Sequence, residues 1–290
     1  MILVTGSTGT IGSELVKLLS ARGIKFRAFV RNSKKAAAMN IRNMEIFEGD
    51  LDDTKALDKA MKGVTRVFLL SSADPRQVEL QCNVVKAAAK AGVSLIVKQS
   101  AFGSSVNSPV ALARWHWQTE DDIRNSGVPY TFLRPMMFMQ TLLMFTHDIV
   151  ADGVLRVPMK DAKVALIDAR DIALCAAEIL TGKGHEGKIY ELTGPKGIGF
   201  DEIAKTLSGV VGRHVSYQNI TLDEAKRKMT LDGLPEWLSS DLGKLWEIFS
   251  SGRAAKATTD VADITGETPR SFDTFCHDYS EVLLGELVHH

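Results

Sequence analysis

The stretch at residues 2–19, ILVTGSTGTIGSELVKLL, decides the fold. An apolar run opens it, an amphipathic run with leucines at helical spacing closes it, and Gly6, Gly9 and Gly12 stand between. Glycine permits positive φ and lets a phosphate approach the backbone, and a helix beginning here points free N–H groups at the same place. The stretch predicts a strand, a phosphate-binding turn and a helix; the alternative is a tight turn that needs glycine for its backbone alone.

The first half of the chain continues this alternation of apolar runs and helical patterns. We predict further strands at 26–31, 44–50, 66–72, 94–101 and 129–135, and helices at 13–23, 52–63, 78–92 and 111–127. Such alternation is typical of an α/β fold with a doubly wound parallel sheet. Sequential strands of this kind are buried on both faces and therefore appear as continuous apolar runs.

The pattern changes after about residue 150. Residues 164–184 indicate a strand tip leading into a helix, 188–194 one more strand, and 195–290 mainly helices with loops. We therefore predict a Rossmann-type domain and a smaller, mainly helical C-terminal lobe. The predicted domain covers 1–152 plus about 168–194, and the predicted lobe covers about 153–167 and 195–290.

Composition limits the class of partner. The chain has 290 residues, with 35 basic and 35 acidic side chains and zero formal net charge, which argues against a nucleic-acid surface. The three cysteines are far apart and form no C-x-x-C pair, so they predict reduced thiols in a cytoplasmic protein without a metal site. No cationic leader precedes the first strand, and the apolar stretch 136–145 is too short to span a bilayer.

The spacing of the glycines indicates which class of ligand binds this loop. G-x-x-G-x-x-G resembles the loop of the extended and atypical short-chain dehydrogenase/reductase superfamily, whereas the lysine of a P-loop is missing. We therefore predict a bound dinucleotide. The residues assigned to it in this loop are Gly6, Thr8, Gly9, Thr10, Ile11 and Gly12.

The end of the second strand indicates which dinucleotide binds. An acid there would hold the ribose of NAD, but the strand ends in Arg31 and no acid lies between Glu14 and Glu45. Arginine suits a 2′-phosphate because its guanidinium forms charge-assisted, bidentate hydrogen bonds. We predict that Arg31 and Asn32 favour NADP(H) over NAD(H); the alternative is a solvated arginine.

Positions at the ends of later strands complete the predicted cofactor site. Asp50 and Leu51 are expected near the adenine, although Asp50 is equally suited to cap the following helix. Lys98 and Gln99 alternate in direction, so one of them is expected to reach the nicotinamide ribose. Ser71, Ser72 and Pro135 follow the fourth and sixth strands and are assigned to the same site.

A catalytic pair common in this superfamily, Tyr-x-x-x-Lys, is absent, because none of the four tyrosines has a lysine four residues later. The segment HWQTE (116–120) stands on the helix after the fifth strand instead. Together with 126–139 and 168–173, and with 190–213 and 265–279 near the C-terminus, it resembles the NmrA-like group of atypical short-chain reductases over nearly the whole chain. That group includes NADPH-dependent quinone reductases, a triphenylmethane dye reductase and NADP-sensing regulators.

Two side chains are candidates for catalysis. His116 is suited to donate a proton near neutral pH; alternatively, His116 and Glu120, which share a helix face, bond each other or the backbone and hold the helix. Ser100 stands where short-chain reductases often carry a carbonyl-binding serine.

An apolar stretch, PMMFMQTLLMFTH (135–147), follows the sixth strand directly. Ligands of open α/β sheets bind beyond the carboxyl ends of the strands, and methionine adapts to aromatic shapes. We predict that Met136, Met137 and Phe138, with Phe102, line a pocket for a small apolar or aromatic substrate. The alternative is packing between lobes or within a homodimer.

Together these residues and this resemblance imply an NADPH-dependent oxidoreductase that passes hydride to a quinone-like or other aromatic acceptor without flavin. The alternative is a non-catalytic NADP(H) redox sensor that acts through a protein partner. A sugar-nucleotide epimerase is disfavoured because that chemistry relies on the missing tyrosine.

Overall fold

Seven parallel strands form the central sheet of the computed structural model, which describes residues 1–285. They are β1 (Ile2–Thr5), β2 (Phe26–Val30), β3 (Met44–Glu48), β4 (Arg66–Leu69), β5 (Leu95–Gln99), β6 (Tyr130–Leu133) and β9 (Lys188–Tyr190). Their order in the sheet is β3-β2-β1-β4-β5-β6-β9. Because β1 pairs with both β2 and β4, the strand order reverses beside β1, which is where doubly wound sheets bind ligands.

Helices cover both faces of this sheet. The helices up to residue 181 are α1 (Thr10–Ala21), α2 (Ser33–Ala38), α3 (Thr54–Ala60), α4 (Gln77–Lys90), α5 (Ala111–Asn125), α6 (Thr146–Asp152) and α7 (Ala169–Thr181). Leu15 and Leu19 of α1 pack with Ile172 of α7 on one face, and Leu57 of α3 packs with Val84 of α4 on the other. The predicted Rossmann-type α/β fold is confirmed.

The rest of the chain is mainly helical, as expected, but it also contains short strands. The helices are α8 (Phe200–Val211), α9 (Leu222–Leu231), α10 (Glu236–Ile248), α11 (Asp260–Thr265), α12 (Phe272–Asp278) and α13 (Ser280–Leu283). A 3-10 helix spans Met139–Phe145, and a π-helical turn spans Phe249–Arg253. The short strands are β7 (Val154–Val157), β8 (Lys163–Val164), β10 (Ile198–Gly199) and β11 (Ser216–Asn219).

These short strands form two small sheets, β11 parallel to β7 and β10 antiparallel to β8. The sequence analysis did not predict β7, β10 and β11, because two to four residues carry too little alternation to stand out. The division of the chain into two domains stays a prediction. The end of the predicted helical region, 286–290, lies outside the described residues.

Candidate active site

The glycine loop joins β1 to α1 in a turn that uses each glycine differently. Gly6 has φ of +67°, a conformation that other residues rarely adopt. A Cβ on Gly12 would lie 2.1 Å from the Gly6 carbonyl oxygen, whereas a Cβ on Gly9 would have that oxygen at 3.4 Å as its nearest neighbour. Gly12 is therefore required by packing, and Gly9 leaves space on the outer side of the loop.

The first turn of α1 points toward that space. Among residues 1–285, no side chain caps the helix at Gly9, so its leading N–H groups are left for a ligand. The Thr5 hydroxyl donates to the Leu70 carbonyl oxygen at 2.7 Å and accepts from the Leu70 amide at 2.9 Å. These bonds hold the ends of β1 and β4 together beneath the loop.

Buried polar atoms without partners mark the same edge of the sheet. In the described part of the chain, these side-chain atoms are Ser7 Oγ, Gln81 Oε1 and Gln99 Oε1. Gln81 donates through Nε2 to Ser71 Oγ at 2.7 Å, so it lies at the end of β4, while Ser7 and Gln99 follow β1 and end β5. Burying a hydrogen-bond acceptor or a hydroxyl group without a partner costs free energy. The residues present therefore fit a dinucleotide running from the glycine loop to the end of β5.

The residues predicted to contact the adenine ribose lie on the turns after β2 and β3. Arg31 is exposed directly after β2, and Asn32 caps α2 by accepting from the Lys35 amide at 3.0 Å. Glu48, at the end of β3, accepts from the Ser33 amide at 3.3 Å. Sequence analysis missed this carboxylate because it is far from Arg31 along the chain and close only through strand pairing.

Asp50 and Leu51 form the turn after β3. Asp50 Oδ1 accepts from the Leu51 amide at 2.6 Å. The alternative role of Asp50 as the cap of the next helix is wrong, because Asp53 caps α3 by accepting from the Ala56 amide at 2.9 Å. Asp50 thus remains at the carboxyl edge of the sheet, partly exposed.

A cavity of about 410 Å³ opens at the carboxyl ends of β4, β5 and β6, against the C-terminal part of the chain. All four residues predicted for the substrate pocket line it: Phe102, Met136, Met137 and Phe138. Of the other predicted site residues, Ile11, Ser71, Gln99, Ser100, His116 and Pro135 also line it. Those not on its wall are Gly6, Thr8, Gly9, Thr10, Gly12, Arg31, Asn32, Asp50, Leu51, Ser72 and Lys98.

The far wall of the cavity was not predicted. It includes Met144, Phe145, Met229, Leu242, Leu245, Trp246 and Phe249, with Arg156, Lys228 and Asp232 as charged members. The apolar spacing of 236–249 is visible in the sequence, but nothing local distinguishes a cavity wall from ordinary core. The wall is mostly apolar, so the cavity suits a planar, apolar ligand.

Lys98, which lies behind the cavity wall, contacts His116, which is part of that wall. Lys98 is fully buried, and its Nζ lies 3.0 Å from His116 Nδ1 and also contacts the Gln99 carbonyl oxygen. Burial lowers the pKa of Lys98 to about 7, although nearby Glu120 favours the charged form. Burial, and secondarily the Lys98 charge, lowers the pKa of His116 well below its usual value. His116 is thus a neutral imidazole at neutral pH.

The Glu120 carboxylate is fully buried and ties three elements together. It accepts from Ser100 Oγ at 2.6 Å, from Arg134 Nε at 2.9 Å and from Arg124 Nη2 at 3.1 Å. Glu120 therefore bonds these groups and not His116, so the alternative in which His116 and Glu120 bond each other is wrong. The Ser100 hydroxyl, a candidate carbonyl donor, is directed to Glu120 in this arrangement.

The helix that carries His116 and Glu120 is capped from a distance. The amides of Ala111 and Leu112, in the first turn of α5, donate to the two carboxylate oxygens of Asp241 at 2.7 and 2.8 Å. Asp241 is buried on α10. Sequence analysis missed it because the two partners are about 130 residues apart.

Within residues 1–285, no cluster of three or more His, Cys, Asp or Glu side chains is placed to hold a metal ion. No helix in that range has the length and apolarity to cross a membrane.

The parallel sheet, the glycine loop and the adjoining cavity define a dinucleotide-binding α/β protein. The chain belongs to the NmrA-like family, whose model matches residues 1–273. The resemblance seen in the sequence is therefore confirmed.

Relatives of known sequence cover most of the chain. It is 39% identical over 275 residues to an NAD(P)H azoreductase of Xenophilus azovorans, covering 95% of this chain and 96% of that protein. It is 33% identical over 245 residues to quinone oxidoreductase 2 of Escherichia coli, covering 83% of this chain and 85% of that protein.

Solved structures are similar over almost their whole length. An NADPH-dependent quinone oxidoreductase of Escherichia coli, complexed with NADPH, superposes with a TM-score of 0.88 at 29% identity. The match covers 96% of this chain and 99% of that one. The triphenylmethane reductase of a Citrobacter species, complexed with NADP(H), gives a TM-score of 0.83 at 30% identity, with the same coverage.

Proposed function

We propose that this protein is an NAD(P)H-dependent reductase of quinone-like, azo or other aromatic acceptors. The observation that carries the proposal is the apolar cavity, which extends from Ile11 beside the glycine loop to Trp246 of α10. Its volume of about 410 Å³ is in the range of small-ligand sites. The azoreductase, quinone oxidoreductase and triphenylmethane reductase relatives support the same class of acceptor.

The cofactor in this proposal is NADP(H), preferred over NAD(H). The bound nicotinamide supplies the hydride, and the protein's residues position the acceptor and exclude water. The exposed Arg31 supports the preference, because its guanidinium is available beside the expected ribose. The Glu48 carboxylate opposes this preference, because it contacts the same turn through the Ser33 amide, so Arg31 must outweigh a negative charge.

The cavity also bears on the redox-sensor alternative. A sensor needs only to distinguish cofactor states, and nothing in that role requires an apolar space beyond the end of β5. A reductase requires such a space for its acceptor. The reductase is therefore the function that the site supports best.

We further infer a reducing, cytoplasmic compartment, supported by the three free cysteines Cys82, Cys175 and Cys276. Burial raises the pKa of the Cys276 thiol to about 12 and that of Cys175 further. Both buried thiols are therefore protonated and unreactive.

Steady-state oxidation of NADPH against a quinone, an azo dye and a triarylmethyl cation tests the proposal. Met137→Trp, which fills the cavity, should raise KM for the acceptors while the Kd for NADPH stays unchanged. Leu231→Trp, on an exposed residue of α9, is the matched control and should change neither value. Tight NADPH binding without turnover of any acceptor would overturn the proposal.

A further inference from the structure

The Lys98 ammonium is buried, and within residues 1–285 it has no anionic hydrogen-bond partner. Its partners are the Gln99 carbonyl oxygen and Nδ1 of His116, at 3.0 Å. Lysine is rarely fully buried, and a charged group so placed is costly unless it is paired. The position therefore calls for a reason other than stability.

The contact fixes the tautomer of His116. While Lys98 is charged its ammonium group only donates, so in that state Nδ1 accepts and the ring proton sits on Nε2. The Gln77 amide nitrogen, 3.5 Å from the same Nδ1, is also only a donor. His116 itself lines the cavity, while Lys98 lies behind it and does not. The pair thus connects a buried ammonium to the cavity wall through one imidazole.

We propose that Lys98 and His116 form a proton relay in which Lys98 holds the proton and His116 delivers it to the reduced acceptor. The inference rests on the proposed reductase function and deepens it. His116 would be the catalytic residue, because it lines the acceptor cavity, and Lys98 acts through it.

In the reduction of an azo acceptor, one hydride and one proton add across the N=N bond. One nitrogen of the N=N bond receives hydride from the cofactor, and the electron pair left on the other nitrogen takes the proton from His116 Nε2. As this N–H bond breaks, Nδ1 takes a proton from Lys98, which leaves a neutral imidazole and a neutral amine. After the product leaves, one proton from bulk solvent passes through water to Nε2 as Nδ1 returns its proton to Lys98, which restores the ammonium group and the Nε2-protonated imidazole.

The charges around Lys98 suit this role. From α5, His116 contacts it and Glu120 lies near enough to favour its charged form, while Arg134 after β6 is bound to Glu120. From α4, the facing group is the neutral Gln77 amide, which shares the His116 ring. With a pKa of about 7, Lys98 exists in both protonation states near neutrality, as a relay requires.

Acceptors differ in their need for this proton, which provides an internal control. An azo group needs a proton at the second nitrogen in the same reduction, and a quinone needs one at oxygen, which water can also supply. A triarylmethyl cation takes hydride on carbon and becomes neutral, so its reduction needs no proton. The relay therefore predicts that loss of Lys98 or His116 lowers kcat for the azo acceptor more than kcat for the triarylmethyl cation, although both bind in one cavity.

The test compares Lys98→Met and His116→Phe with the wild type at saturating NADPH and acceptor. We expect kcat for the azo dye to fall by about tenfold or more in both variants, because general acid catalysis contributes on that scale or above. The kcat for the triarylmethyl cation should change less than about twofold in both variants, because its reduction needs no general acid. The solvent isotope effect on azo reduction should also shrink in Lys98→Met.

Two results would overturn the relay without contradicting the proposed reductase function. The first is an unchanged kcat for the azo dye in Lys98→Met and His116→Phe. An equal loss for both acceptors, with weaker NADPH binding in Lys98→Met, would show instead that Lys98 holds the cofactor. No turnover of any acceptor by the wild type would overturn the proposed function itself, and the relay with it.

A readout without turnover completes the test. Nitrogen NMR of the wild-type protein below pH 7, where Lys98 is charged, should show His116 protonated on Nε2 and not on Nδ1. Carbon NMR of labelled lysines should show one lysine that titrates near pH 7 and disappears in Lys98→Met. A His116 protonated on Nδ1, or the absence of such a lysine, would contradict the arrangement directly.

Discussion

The carbonyl oxygen of Gly6 occupies the space next to the α-carbon of Gly12, 2.1 Å from where a Cβ would stand. The obstruction is backbone and cannot rotate away. Gly9, three residues earlier, has φ of −93° and meets only that oxygen, at 3.4 Å. The loop thus separates a glycine needed for packing from one that leaves room for a ligand.

Gly12→Ala should therefore destabilise the protein, by about 2 kcal/mol or more, because α1 must move away from the loop. Gly9→Ala should leave the melting temperature nearly unchanged but weaken NADPH binding about tenfold or more, since its methyl group enters the space expected for the pyrophosphate. Thermal unfolding and a binding titration on both variants check this. Equal melting temperatures for the two variants would contradict it.

The sequence predicted the sheet, the glycine loop and the near wall of the cavity because these depend on short-range patterns. Apolar runs mark buried strands, and the carboxyl ends of parallel strands share one edge, so Gln99, Pro135 and Met136 were expected at that edge, and all three line the same cavity. The far wall could not be predicted, because residues such as Trp246 on α10 are distant in sequence from the strand ends and meet them only in the folded protein. The same applies to Asp241 at the start of α5, where partners about 130 residues apart leave no periodic signal.

Arg31→Asp should weaken NADPH binding about tenfold to a hundredfold and leave NADH binding nearly unchanged, because it removes a charge-assisted donor for the 2′-phosphate. Arg42→Asp makes the same change of charge at an exposed residue just before β3, at the opposite edge of the sheet. It should alter neither affinity. Equal losses for both cofactors in Arg31→Asp would show that the 2′-phosphate is held elsewhere.

Glu120→Gln should destabilise the protein by about 3–5 kcal/mol, because it leaves the half-buried Arg134 guanidinium without its anion. Asp58→Asn removes one partner of the exposed Lys90–Asp58 pair and should cost less than about 1 kcal/mol. Denaturant unfolding of both variants measures the difference. Similar costs would mean that the Glu120 network is not held in the interior as described.

Asp241→Ala should cost about 1–2 kcal/mol, because two amides at the start of α5 lose their acceptor. It should also raise KM for the acceptor, since α10 supplies Trp246 to the cavity. Ser271→Ala removes the cap of α12, which accepts from the Thr274 amide, and serves as the control. It should cost similar stability without changing KM; a KM unchanged in Asp241→Ala would show that the cap does not position the cavity.

Lys98→Met should stabilise the protein, and more strongly in acid than in alkali. In the unfolded chain Lys98 titrates at its usual pKa near 10.5, whereas burial lowers the pKa in the folded protein to about 7. Between these values the unfolded chain binds the extra proton, so the wild type gains stability as the pH rises from 7 toward 10.5. The full cost of burying the charge is present below pH 7 and amounts to at most about 5 kcal/mol, because each pKa unit is equivalent to about 1.4 kcal/mol.

Unfolding of the wild type and Lys98→Met at pH 6 and at pH 9 measures this difference. The free energy of unfolding of the variant should exceed that of the wild type by a larger margin at pH 6 than at pH 9. The reason is that methionine fills the same space without a charge to desolvate. Lys90→Met, at an exposed lysine on α4, is the control and should show little dependence of its margin on pH. A margin for Lys98→Met that is the same at both pH values would mean that the folded-state pKa of Lys98 is close to that of a free lysine, and that the buried ammonium is balanced by charge after all.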